Sequence, residues 1–460
     1  MSISTLFLLI LVLTVASYYL GRSRALAQAH GRVQSLHSLP TYYGWFSATA
    51  FLLPAVAVLF LWVAFGNSFI DGRIMAGLKT TLTQDSHGHF KLLLNDVHNI
   101  ASGVIKAEDP NGPLAQAATK YKSLQNQGIW ATTSLAVGLG LIGALLALRL
   151  ISPDYRARQR VEKILTQFLI ACSTLAILTT AGIVFSLIFE AYRFFERVPI
   201  QEFLFSTNWS PQTAMRSDQV GSSGSFGSVP LVVGTLLITF IAMLVAVPIG
   251  LMSAIFMTQY ASRRWRKIIK PLLEVLAGIP TVVYGFFAAL VVAPFFRGLG
   301  ESIGISVASE SAMTAGIVMG IMIIPFVSSL SDDAIAAVPR TLRDGSYALG
   351  ATKSETIRQV LIPAALPGIV GAVLLAVSRA IGETMIVVMA AGLSANLTFN
   401  PLEAVTTVTV QIVALLTGDQ EFDSSKTLSA FALGLLLFTV TLALNVVALR
   451  VVRKYRETYE

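Results

Sequence analysis

The chain has 460 residues, 54% of them hydrophobic and 13% charged, with a mean hydropathy of +0.70, well outside the composition of an ordinary soluble domain. Its formal net charge of +8 is spread over alternate loops instead of forming one basic surface, so it does not mark a nucleic-acid binder. A single cysteine, Cys172, excludes an intrachain disulfide and a cysteine-based metal site.

Apolar runs long enough to cross a bilayer as helices, about 20 residues each, recur at roughly 2–20, 44–66, 128–150, 164–189, 229–257, 273–296, 312–330, 366–392 and 427–450. The short alternating segments of a membrane barrel are missing, so the expectation is an all-α polytopic membrane protein with about nine transmembrane helices. The first run lacks a basic region before it and reads as a retained helix; Ala-Gln-Ala before His30 leaves a cleaved leader as the alternative. Basic clusters at Arg22, Arg24 and Arg32, at Arg156, Arg158, Arg160 and Lys163, and at Arg263, Arg264, Arg266, Lys267 and Lys270 place those loops in the cytoplasm. With Arg340, Arg343, Lys353 and Arg358, and the tail Arg453, Lys454 and Arg456, also inside, the N-terminus is expected outside and the C-terminus inside.

Between the second and third runs, residues 67–127 form a polar insert whose apolar positions Ile100, Val104 and Ile105 point to helical pieces, expected as a small folded cap on the outer face. His87 and His89 flank a glycine there, with only carboxylates such as Asp85 and Asp96 nearby. They read as solvated loop histidines, as do His30, His37 and His98, and no metal site is expected. Residues 199–228, with FLFSTNWSPQ and then a Gly/Ser-rich run, read as an exposed loop. The expected organisation is an accessory N-terminal membrane region over 1–163, a first core helix and loop over 164–228, and a core over 229–460.

In the sixth run, Gly278 and Pro280 interrupt the helix, either exposing backbone groups along a path or marking a kink satisfied by neighbours. Tyr284 reads as a packing aromatic. The cytoplasmic loop of about 331–365 is longer than a connection requires. Pro339 and Pro363 bracket it, and Gly350 separates two short amphipathic helices, a ledge for a cytoplasmic partner or an interfacial anchor. The eighth run contains SRAIGETMIVVMAAG, placing Arg379 and Glu383 four residues apart on one face of a membrane helix, with Ser378 and Thr384 adding hydroxyls. Such charges are costly in lipid and mark either a substrate path or an architectural pair holding a kink at Gly382. An arginine fork there suits an oxyanion.

The 331–365 loop resembles the EAA loop of ATP-binding-cassette import permeases. Asp344-Gly345-Ser346 stands where that family has Glu-Ala-Ala, Gly350 keeps its spacing, and Val360-Leu361-Ile362-Pro363 matches the late apolar-Leu-Pro element except at Ile362. SRAIGET, the stretch LAGIPTVVYGFF (Leu276 to Phe287), and Phe203-Leu204 ahead of Trp209 and Pro211 are similar to elements of bacterial phosphate-importer permeases, and Met385 favours the PstC-type subunit. The resemblance covers roughly Pro199 to the C-terminus. It implies a MetI-like permease core in the C-terminal half and an inner-membrane location. It also implies transport of inorganic phosphate, with Asp344, Gly345, Gly350 and Pro363 coupling to two ATPase subunits. A PstA-type permease and a periplasmic phosphate-binding protein complete the implied complex. Arg379, Glu383, Thr384 and Ser378 are the expected substrate-path residues. No GxxxxGK[ST] loop is present, so the chain is not expected to be an enzyme or to hold a cofactor. The alternatives are a PstA-type partner permease, an importer of another oxyanion, and a membrane sensor using the 67–127 insert.

Overall fold

Long apolar runs satisfy their backbone groups within themselves, and most of them fold as a single helix even where a proline lies inside, as at Pro54, Pro248 and Pro325. The computed structural model describes residues 3–29, 33–81, 89–105, 112–213, 223–417 and 423–455. Among these residues, nine helices are long and apolar enough to cross a membrane. The chain divides into two compact units, Met1–Leu178 and Thr179–Glu460, with the division inside one helix.

In the first unit, α1 (Ile3–Gln28), α2 (Pro40–Thr81), α3 (His89–Ser102), α4 (Pro113–Leu150) and the start of α5 (Ala157–Phe195) follow in order. Lipid gives helices no hydrophobic reason to associate, so small residues that allow backbone approach decide the contacts. At Gly21 an added Cβ would lie 2.6 Å from Ser47 Cβ and 2.7 Å from Tyr43 O. The Ser17 hydroxyl donates to Ser47 O across the same contact at 2.9 Å. The insert is built from extensions of the spans themselves: α2 and α4 run on past membrane length, and α3 packs on them through Ile70, Ile74, Val97, Ala118 and Tyr121. His98 Nε2 sits 2.9 Å from Asp71 Oδ1, its ring 4.7 Å from that of Tyr121; it is a packed, paired histidine, a correction to the solvated reading. His30 and His87 lie outside the described residues, as does the His89 side chain.

The second unit continues α5, then α6 (Ile200–Phe205) and the antiparallel strands β1 (Trp209–Thr213) and β2 (Ser223–Phe226). The exposed loop expected over 199–228 is therefore folded where described. Phe203, Trp209 and Phe226 are buried against Phe194, and their edge-to-face rings hold α6 and the hairpin to the end of α5. The Gly/Ser run mostly falls outside the described residues.

There follow α7 (Val229–Ile255), extended by a wide π turn over Phe256–Tyr260, then α8 (Arg263–Ala277), α9 (Thr281–Phe287), a second π turn over Ala288–Val292, and α10 (Ala293–Ser302). The sixth run expected at 273–296 is thus two elements. The span is Thr281–Ser302, and α8 is a separate amphipathic helix, basic at its start, with no buried residue. Next come α11 (Ala312–Ala336), α12 (Arg340–Ala348), α13 (Lys353–Glu355), a π turn over Thr356–Leu361, α14 (Ile362–Ile381), α15 (Met385–Ala390), α16 (Val408–Leu416) and α17 (Ser425–Tyr455). The most buried span is α11, which packs on α7 and α14 around Ala242, Ala246, Ala315, Met319, Ile323 and Ala376. Its start is tied to the 400–403 turn: Ala312 N donates to Glu403 O at 3.1 Å and Met313 N to Pro401 O at 2.8 Å.

Pro363 does not end the second helix of the 331–365 loop. That helix runs unbroken from Lys353 to Ile381, 29 residues. In the wide turn before the proline, Ile362 N donates to Ile357 O, five residues back, and this spacing gives the ring room beside the preceding turn.

Candidate functional site

A cavity of about 250 Å³ opens between the end of α7, α8, α11 and the end of α14. Apolar walls come from Met257, Leu273, Met322 and Phe326, and four ionisable groups line it: Lys270, Glu274, Asp332 and Arg379. Asp332, one turn from the end of α11, is only 1% exposed. A carboxylate so buried needs partners, and α8 supplies them. Arg266 Nη2 donates to both of its oxygens, at 3.1 and 3.0 Å, and Lys270 Nζ donates at 3.3 Å. Among the described residues Arg379 carries no ion pair; its guanidinium lies over the Phe326 ring, 5.7 Å from the centroid, a contact that holds the cation without neutralising it.

The four residues expected along a substrate path part company here. α14 stops at Ile381 with Gly382 as its C-cap. One continuous face carrying both Arg379 and Glu383 is therefore corrected, and so is their pairing: no ion pair joins them among the described residues. Glu383 Oε1 instead accepts from Met385 N at 3.2 Å and Ile386 N at 3.5 Å. Those are the free amides of a new helix start, where a carboxylate is favoured. Thr384 is the N-cap residue of α15, with its hydroxyl 3.4 Å from Gly382 O. Ser378 and Thr384 are not among the cavity's lining residues. The break is braced from α16, whose Thr409 hydroxyl donates to Glu383 O at 2.9 Å. An arginine in a last turn, then glycine, then a Glu-Thr pair is a helix-stop and helix-start signature, and it was available in the sequence.

Gly278 and Pro280 lie at the second break. Gly278 caps α8 and Pro280 precedes α9, and the Tyr284 hydroxyl reaches back across the gap to donate to Leu276 O at 2.9 Å. Tyr284 is buried and acts as a staple over the break. Asp332 and Glu274 had no individual signal, and Lys270 read only as a loop charge, because what unites them is tertiary.

The 331–365 loop forms the two helices expected, α12 and the α13 end of the long helix. Gly350 has φ +86°. Ala351 N donates to Ser346 O at 3.2 Å and Gly350 N to Tyr347 O at 3.0 Å, the paired bonds of a Schellman cap, which require a left-handed residue at that position. The second helix starts on a capping box, Thr352 with Glu355. Ser346 and Thr356 hydroxyls, 2.9 Å apart, tie the two helices together, and Lys353 Nζ lies 4.5 Å from the centre of the Tyr260 ring at the end of α7. Asp344 is exposed, 3.6 Å from Arg343 Nε, and a Cβ at Gly345 or Gly350 would meet nothing. Leu349, immediately before Gly350, is 91% exposed.

Two family models match the chain. The phosphate ATP-binding cassette transporter model matches residues 7–179, and the binding-protein-dependent transport system inner membrane component matches 246–457. The probable ABC transporter permease protein YqgH of Bacillus subtilis is 37% identical over 243 residues, covering 52% of this chain and 74% of that one. The phosphate transport system permease protein PstC of Haemophilus influenzae is 31% identical over 325 residues, covering 67% and 98%. Among solved structures, a bacterial alginate ABC transporter with its pentasaccharide-bound periplasmic protein aligns at 15% identity over 66% of this chain and 99% of that one, with a TM-score of 0.45.

Proposed function

From the premise that this chain belongs to the family of PstC-type permease proteins of phosphate transport systems, we propose that it carries inorganic phosphate across the inner membrane within an ATP-driven importer. The observation that carries the choice of an anion is Arg379. It lines the core cavity with no carboxylate partner among the described residues, while the buried carboxylate there, Asp332, is already engaged by two cations. A guanidinium held over an aromatic face keeps its forked donors free for an oxyanion. Glu383 and Thr384 serve the site indirectly, by fixing the helix break that ends the arginine's own helix.

In this reading the α12–α13 turn, with Asp344, Gly345 and Gly350, and with Pro363 in the first part of the long helix, engages an ATPase subunit. Two ATPase copies, a PstA-type permease and a periplasmic phosphate-binding protein complete the complex, with the N-terminus outside and the C-terminus inside. The residues of α1–α4 form an accessory region, and the core begins near Ser228. ATP hydrolysis belongs to the partner subunits.

The test is phosphate uptake and phosphate-stimulated ATP hydrolysis by the complex in proteoliposomes with its binding protein. Arg379→Gln should lower uptake by at least about tenfold, the worth of one good charge-assisted contact, with assembly intact. Arg379→Lys should keep only part of the activity. Full uptake by the lysine variant in an intact complex refutes recognition by the arginine fork.

A further inference from the structure

A second recess, of about 350 Å³, lies at the other end of the core, lined by β1, the segment after α15, α16 and the start of α17. Its position follows from α17. The far end of that helix reaches the middle of α14, since a Cβ at Gly371 would meet Val452 Cγ2 at 2.7 Å, and the same stretch of α14 packs on the end of α11 that leads into α12, where a Cβ at Gly368 would meet Ala334 Cβ at 2.7 Å. Lys426, in the first turn of α17, stands 26 residues before Val452, about 39 Å away along the helix. The recess therefore opens away from the turn assigned to the ATPase, on the side from which an imported solute arrives.

The wall of the recess is built from buried polar groups that have spent their hydrogen bonds. Trp209 Nε1 donates to Gln411 Oε1 at 3.0 Å, and Gln411 Nε2 donates to Leu393 O at 2.9 Å. Trp209 and Gln411 are both under a tenth exposed, so these groups fix the wall and leave its free polarity to others. Two side chains supply that polarity: the Ser210 hydroxyl and the Lys426 ammonium, neither of which has a side-chain partner among the described residues. Among the described residues no carboxylate lines the recess. The nearest described one along the chain, Asp423, is held by Arg193 Nη2 at 2.6 Å, and its carbonyl accepts from Arg197. Nor does Lys426 serve its own helix. Ser424 caps α17 by accepting from Thr427 N, and a cation in a first turn faces the positive end of the helix dipole.

We propose that this recess is a receiving site for inorganic phosphate, with Lys426 as its cation and Ser210 as a second donor, holding the anion before it reaches Arg379. The proposal rests on the phosphate-importer reading above. A lysine with no carboxylate partner among the described residues, set in a polar recess, focuses an incoming anion and raises its rate of capture. A compact, hydrated ammonium suits transient capture, because it binds as a point charge and releases without breaking a fork.

The experiment measures uptake of labelled phosphate by the full complex in proteoliposomes, at low and at raised salt. Lys426→Gln should lower the initial rate about tenfold, the lower end of what such focusing supplies. Lys426→Arg should restore it and Lys426→Glu should fall below the glutamine variant. The wild-type rate should decline with salt, and the glutamine variant should lose that dependence. Absence of uptake by the wild-type complex refutes the importer reading itself. Wild-type uptake matched by the glutamine variant at both salts, or equal loss in the arginine and glutamine variants, refutes the receiving site alone. The complex in a maltoside detergent, whose headgroup carries no phosphate, separates free phosphate from a lipid headgroup. Phosphate-stimulated ATP hydrolysis that still depends on Lys426 there supports the site. Dependence seen only in phospholipid vesicles assigns the lysine to a headgroup and overturns the proposal.

Discussion

Gly350 offers a clean separation of backbone from side chain. Its φ of +86° is imposed by the two bonds of the cap, yet a Cβ there would meet no atom. Substitution consequently perturbs only the conformational preference of one residue. An alanine pays about 1–2 kcal/mol to adopt the left-handed region, which lowers the fraction of correctly capped turns by roughly five- to thirtyfold. Asparagine visits that region several times more readily than other residues, and valine hardly at all. The expected order of damage is Asn, then Ala, then Val, with Pro excluded outright because its φ is fixed near −65°. The assay is phosphate-stimulated ATP hydrolysis by the reconstituted complex as ATPase subunit is titrated in. The half-saturating concentration should rise in that order, while the melting of the isolated permease stays unchanged. Equal behaviour of the asparagine, alanine and valine variants, or an alanine variant indistinguishable from wild type, refutes the argument that the turn must be preformed for the partner.

Three further outcomes are expected. Replacing Arg266 and Lys270 together by methionine leaves Asp332 buried without a cation and should destabilise the folded permease by about 3–5 kcal/mol; Lys270→Met alone should cost far less, because Arg266 still satisfies the carboxylate, and a double-mutant cycle on detergent melting curves reads the difference. Leu349→Asp should abolish copurification of the ATPase subunit without shifting the permease melting temperature, since the side chain is 91% exposed and contributes nothing to the fold. Hydrogen bonds from Thr398 and Asn400 hold the Glu403 carboxyl below its usual range, so their contribution is present above the ordinary carboxylate value and is lost as pH falls through the lowered one. Hydrogen exchange at Ala312 and Met313, whose amides are bound by the 401–403 turn, should accelerate over that same acidic interval.

The nine spans were legible because lipid demands long uninterrupted apolar helices, and a composition so extreme leaves few other readings. The two-helix turn around Gly350 was legible too, since a glycine between amphipathic stretches has one common meaning. Reading failed where an apolar run hides a change of element. Residues 366–392 are apolar apart from Ser378, Arg379, Glu383 and Thr384, yet three residues, Gly382 to Thr384, are enough to stop one helix and start another. Residues 273–277 look like the beginning of a span but belong to the surface helix α8, whose apolar face has the same composition as a membrane helix. The Arg266–Asp332 pair was out of reach for a different reason: its members are 66 residues apart, and only the packing of α8 against α11 brings them together. The hairpin of β1 and β2 escaped because its register is set by buried rings on α5 and α6, not by its own short strands.

The unbroken helix from Lys353 to Ile381 has a mechanical consequence. At 1.5 Å per residue its 29 residues make a strut of about 43 Å, with the Gly350 turn just before one end and Arg379 near the other. It continues through a widened turn over Thr356–Leu361 and past an interior proline, Pro367, and a glycine flanks each end, Gly350 and Gly382. A tilt of a few degrees imposed at one end therefore sweeps the arginine sideways by ångströms, enough to align or misalign it with an anion. On the importer reading, stroke and grip are then one coordinate of the same lever, and a flexible insertion anywhere between Thr356 and Ser378 should disconnect them while leaving both ends intact.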